Sequence, residues 1–226
     1  MKKFLALIVL PLLIASCTIN FKDGKTVKCT GPVETRAMEI AGDFQAIEIN
    51  GGFDMKMVYG PCAVEVTANN DAFDYLSVFT RKDGTIVIET KDHVNIAAEE
   101  CVFTVSSPKI NSIKVNGAVD LDYTFTSEYS EPLAIVVNGA GDMELNKFAG
   151  PSMTVEINGA ADLDINDIKT QSLSIEINGA GDVAVSGEAD DASFEVNGAG
   201  RINATGLVTK NKPRVSTSGL ASVKLN

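Results

Sequence analysis

The chain has 226 residues, enough for one large all-β domain or two small ones, and carries a formal charge of −11 at pH 7. That acidity excludes attraction to a phosphate backbone, so nucleic acid is not an expected partner. Tryptophan is absent and aromatic residues make up 6%, which argues against a deep saccharide cleft built on stacking rings.

The N-terminus reads as an export signal. "MKKFLALIVLPLLIASC" sets two lysines before an apolar run from Phe4 to Ile14, too short to span a bilayer, and small residues before Cys17. "IASC" resembles the lipobox of bacterial lipoproteins. That resemblance implies cleavage of a signal peptide of residues 1–16, a diacylated Cys17 sulfur and an acylated new amine. Loss of Lys2 and Lys3 takes the mature charge from −11 to −13. The expected membrane attachment is through the acyl chains of Cys17 alone, since no basic patch is present to hold anionic lipid. The expected location is the outer membrane, periplasmic or cell-surface facing. Thr18, where an aspartate would retain the protein, is compatible with release from the inner membrane.

Residues 17–38 are polar, lack a sustained period and read as a lipidated tether. The folded domain is expected over 39–226. Its first part predicts longer, irregular strands at 46–49, 54–58, 64–68, 86–89 and 102–105, with "RKDGT" as a hairpin turn. Cys62 opens "CAVEV" and Cys101 opens "CVFTV" at the same offset. Stacked strands would set the two side by side, which predicts a Cys62–Cys101 disulfide worth about 3–4 kcal/mol, with Cys29 free or in an intermolecular bridge.

From Asn116 onward one phrase returns: "KVNGAVDLD", "VVNGAGDMEL", "EINGAADLDI", "EINGAGDVAV", "EVNGAGRINA" and a worn "STSGLASVKLN". The spacings from Asn116 through Asn138, Asn158, Asn178 and Asn197 to Ser218 are 22, 20, 20, 19 and 21 residues, and an early copy, "EINGGFDMKM", sits at Asn50. Each unit alternates apolar and polar residues on both sides of the Gly-rich corner, the period of half-buried strands. A lone unit cannot offset the ordering entropy of its ~20 residues, so units must stack. The fold class expected is all-β: a single-stranded, right-handed parallel β-helix (β-solenoid) with about 20-residue repeats and irregular N-terminal layers. Asn116, Asn138, Asn158, Asn178 and Asn197 are its corner residues, able to form a ladder of amide hydrogen bonds.

Taken in order, "FQAIEINGGFDMKMVYG", "CAVEVTANNDAFDYLSV", "DGTIVIET", "CVFTVSSPKINSIKVNGAVDL" and the repeats resemble the head GIN domain family of auto-transporter adhesins, which includes many Bacteroidetes-type lipoproteins. The resemblance covers residues 40–226 and implies a β-helical fold and an envelope location, with no catalytic or binding residues to transfer. Many members have "GSG" at the corner where this chain has "NGAG", a departure that leaves the fold reading untouched.

Acid is unevenly spread. Residues 116–195 hold sixteen Asp or Glu and two Lys, whereas after Glu195 come only the cations Arg201, Lys210, Lys212, Arg214 and Lys224. Asp120, Asp142, Asp162 and Asp182 occupy equivalent corner positions. Such a column is either a solvated, turn-capping face or a calcium site, the one cofactor the sequence suggests. The basic end guards an open sheet edge or, alternatively, supports head-to-tail association; the oligomeric state stays open. His93 is the only histidine, and no Ser–His–acid set or phosphate-gripping loop is present. The expectation is therefore a non-catalytic interaction or adhesin-like module with an unidentified protein or glycan ligand. A structural or lipid- or glycan-binding envelope role is the second reading. A calcium-dependent polysaccharide lyase is the third, weakened because no base stands beside the acidic columns.

Overall fold

The computed structural model describes residues 25–126 and 129–226; the export signal, Cys17 and the tether as far as residue 24 lie outside the described residues. In chain order the strands are β1 (Thr26–Lys28), β2 (Val33–Ala37), β3 (Ala46–Val58), β4 (Ala63–Asn69), β5 (Leu76–Thr80), β6 (Thr85–Thr90), β7 (Asn95–Ala97) and β8 (Cys101–Ser106). There follow β9 (Ser112–Thr124), β10 (Leu133–Val137), β11 (Ala140–Asn146), β12 (Ala149–Ile157), β13 (Ala160–Gly198), β14 (Arg201–Thr209), β15 (Arg214–Gly219) and β16 (Ser222–Leu225). Two short 3-10 turns, Asn70–Tyr75 and Lys91–His93, complete the described structure.

The alternation in the sequence is the alternation of burial. In β12, Met153, Val155 and Ile157 point inward while Thr154 is exposed; in β13, Leu173, Ile175 and Ile177 repeat the pattern directly opposite them. Each such aliphatic side chain withdrawn from water contributes about 1.5–3 kcal/mol. At the 22-residue copy an aromatic cluster fills the extra space, with Phe125 packed edge-on against both Tyr129 and Phe148.

Pairing is parallel through the repeats. β9 pairs with β10 and β11, β10 pairs with β12, and β11 and β12 both pair with β13. These five strands close a ring around the apolar core. β3 adds to β9 in parallel, with Asn50 opposite Asn116, and β14, β15 and β16 extend the far side. Between residues 33 and 106 the neighbours are mixed: β2–β4, β4–β8 and β5–β6 are antiparallel, whereas β6 and β8 lie parallel to β3.

This corrects the single-stranded parallel β-helix expected from the repeat. The fold is all-β, but its pairings form a closed five-strand parallel barrel with extra strands. The physical reason lies at the corners. β9 and β13 run unbroken through their "NGA" phrases, so one long strand serves two walls and joins them. The N-terminal part is not a set of irregular layers of the same winding either, because its hairpins reverse direction.

That reversal also corrects the disulfide. In antiparallel β4–β8, Ala63 lies opposite Ser106 and Ala68 opposite Cys101. Cys62 therefore stands at one end of the ladder and Cys101 at the other, about 20 Å apart at ~3.4 Å per residue. No bridge joins Cys29, Cys62 or Cys101 in this structure, and the Cys62 Sγ instead lies 3.6 Å from the Ser107 Oγ.

Candidate functional site

The corner asparagines form a continuous chain of side-chain amides. Asn116 donates to Asn50 at 2.8 Å, Asn138 to Asn116 at 2.9 Å, and Asn158, Asn178 and Asn197 each donate to the preceding asparagine at 3.1 Å. Where a glutamate stands two residues earlier the amide donates to it as well: Asn158 to Glu156 at 2.6 Å and Asn178 to Glu176 at 2.7 Å. Every neighbouring strand thus presents the same donor and acceptor, and the ladder fixes the register. At its start Asn116 also donates to Glu48, whose carboxylate accepts from Arg81 at 2.8 Å. The Arg81 hydrogen bond is the main influence holding Glu48 below the ordinary carboxylate range. A separate single rung, Asn166 to Asn146 at 3.2 Å, is not legible in the sequence because it lies outside the shared phrase.

Beside the ladder runs the acidic row. Asp54 is opposite Asp120, Asp120 opposite Asp142, Asp142 opposite Asp162, and Asp182 opposite Arg201. Adjacent like charges ~5 Å apart repel by about 0.8 kcal/mol in water. Desolvation, followed by the neighbouring carboxylates, raises the carboxyls of Asp120 and Asp142 above their ordinary range. The Asp182 backbone N–H donates to Asp162 at 3.2 Å. Among the described residues no group of three or more His, Cys, Asp or Glu side chains is gathered to hold a metal ion. The carboxylates are strung out along the wall, so the calcium set Asp120, Asp142, Asp162 and Asp182 lacks a coordinating cluster. Arg201, however, ion-pairs with Asp182 at 3.1 Å, which amends the sequence argument that no basic group adjoins the acids. It is a permanently charged, exposed guanidinium, unsuited to abstract a proton.

On another face a groove of about 670 Å³ crosses β12, β13 and β14. Tyr129, Ala149, Gly150, Pro151, Ala189 and Val208 are among the residues that line it. Lys169, Glu188, Asp190 and Lys210 rim it, with Lys210 paired to Asp190 at 2.6 Å. Backbone register builds the concavity: Gly150 lies opposite Thr170, and Ala189 opposite Thr209, so small side chains stand in line. The groove was not legible in the sequence, because its residues come from the variable turns between copies.

No helix among the described residues is long and apolar enough to cross a membrane. The family described as "Putative auto-transporter adhesin, head GIN domain" matches residues 43–128 and 121–226. No curated protein gives a significant match. Among solved structures, a putative lipid binding protein of Parabacteroides distasonis superposes with a TM-score of 0.73 at 19% identity, covering 89% of this chain and 100% of that one. A putative adhesin of Bacteroides fragilis gives 0.69 at 14% identity, covering 88% and 100%, and another from Parabacteroides distasonis gives 0.60 at 16%, with the same coverage. At these identities the likeness is one of fold.

Proposed function

Because the chain belongs to the head GIN domain family, we propose that it is an exported, envelope-located protein, lipid-anchored at Cys17, whose β-domain works as a non-catalytic interaction module of the adhesin kind. The groove across β12, β13 and β14 carries this reading: it is broad, open and lined by small residues, with its charged rim partly neutralised. A surface of that kind suits an extended ligand. Binding of the purified domain to immobilised matrix proteins and polysaccharides tests it. Val208→Trp, at an exposed position in the groove, is expected to abolish retention that the wild type shows; equal retention by both proteins removes the groove from the function. Metabolic labelling with a palmitate analogue, lost in Cys17→Ala, tests the anchor, and surface labelling of live cells decides which way the protein faces.

A second reading, an acyl or glycan chain as the groove's occupant, is favoured by its apolar lining residues and by the lipid-binding description of the Parabacteroides distasonis structure. Displacement of a fluorescent fatty acid by unlabelled lipid, or its failure, separates this reading from protein adhesion.

A further inference from the structure

The segment that leads from the proposed anchor into the domain is held by a small polar clasp. Asn69, buried at the end of β4, donates from its Nδ2 to the carbonyl of Gly31 at 2.6 Å, and its Oδ1 accepts the N–H of Glu99 at 2.8 Å and of Glu100 at 3.3 Å. Asp71 accepts the N–H groups of Thr30 at 3.0 Å and Gly31 at 3.1 Å. Cys29 itself donates its N–H to the Ala97 carbonyl at 2.9 Å. Gly31 on one side and Glu99 and Glu100 on the other are thus pinned by one amide, and the Cys29–Ala97 bond ties the same two segments together beside it. Cys29 is buried in the core, and Cys101, opposite Ala68 in β8, packs against the same cluster.

We propose that Cys29 and Cys101 are joined by a disulfide in the exported protein, fastening the N-terminal strap to the body of the domain. Without it the strap is held by β1 on β7 over three register positions and by β2 on β4 over five, so a pull on the tether would peel it away strand by strand. With it the load passes to β8, which lies between β3 and β4. The third cysteine is unsuited: Cys62 is held at the far end of the β4–β8 ladder beside Phe44 and Ser107.

The reaction is an exchange. A disulfide donor such as oxidised glutathione, or a periplasmic-type protein disulfide, takes two electrons; the two thiols lose two protons and form one S–S bond, and the donor leaves as two thiols. Burial, then the Asp54 carboxylate and last Cys29, push the Cys101 thiol up to about 11. Few thiolates are therefore present at neutral pH, and exchange quickens as pH rises.

The inference rests on export, and its test separates the two. The purified full chain is incubated with oxidised glutathione at pH 8.5, alkylated and digested without reductant. A linked peptide pair containing Cys29 and Cys101, with Cys62 alkylated, is the expected result. Alkylation of both Cys29 and Cys101, or a link through Cys62, overturns the pairing. A bridge that forms in the tube but is absent from protein isolated from cells upholds the pairing and overturns export. Thermal unfolding is a second readout: reduction is expected to lower Tm by about 10 °C in wild type and in Cys62→Ser, and to leave Cys29→Ser unchanged. An equal shift in all three proteins, or none in any, counts against the bridge.

Discussion

Arg201 closes the acidic row by placing its guanidinium 3.1 Å from the Asp182 carboxylate, opposite it in parallel register. Both side chains are more than half exposed, so the pair is screened and modest. Arg201→Glu extends the like-charged row by one position. It should destabilise the fold by about 0.5–1 kcal/mol at low ionic strength, and the loss should vanish near ~1 M salt. Urea unfolding at the two salt concentrations checks this.

Two carboxyls should respond to pH with opposite sign. Glu48, held low chiefly by Arg81, contributes stability above the ordinary carboxylate range and loses it as pH falls through its lowered value. Arg81→Gln should then lower stability at pH 7 and have no effect once Glu48 is protonated in both the folded and the unfolded chain. Asp142 is held high by desolvation and its acidic neighbours, so it favours the fold while protonated and ceases to as pH rises through its raised value. Asp142→Asn should therefore stabilise the protein slightly at pH 7, by a few tenths of a kcal/mol, with the gain absent at low pH. Chemical denaturation across pH resolves both curves.

Asn158 stands mid-ladder, donating to Asn138 and Glu156 and accepting from Asn178. Asn158→Ala should cost about 1–3 kcal/mol, since it leaves neighbouring amide groups unpaired. Asn197, at the end of the chain of amides, should cost less on the same change. A ranking of the two variants by Tm with Asn197→Ala the lower would count against the ladder as a cooperative unit.

Gly179 combines a φ of 157° with a close approach to the strand beneath, where an added Cβ would collide with the carbonyl oxygen of Gly159. Neither strain nor clash relaxes without shifting backbone. Gly179→Ala should destabilise by about 3 kcal/mol or more and raise the insoluble fraction on expression. Ala180→Ser, at the next residue, serves as the control that should express normally.

The period was readable because Asn116, Asn138, Asn158, Asn178 and Asn197 carry the same amide, and nothing but mutual contact requires an identical group at that spacing. Strand direction was not readable. "CAVEV" and "CVFTV" alternate alike whether they run together or opposed, so Cys62 and Cys101 were placed side by side when β4 and β8 in fact run antiparallel. Closure of the ring also escaped, since continuity of β9 and β13 through a Gly-rich corner depends on what lies above and below, not on local propensity. The groove drew on Tyr129, Lys169, Asp190 and Lys210, residues of unlike type from dissimilar turns, which no motif joins.

The hydrogen-bonded path of the main sheet starts at β2 and finishes at β16, so the cations that follow Glu195 gather along one rim while the carboxylates crowd the midsection. A body charged in this way carries a permanent moment. In any external field that moment orients the molecule, and dissolved salt weakens the pull by screening both ends of it.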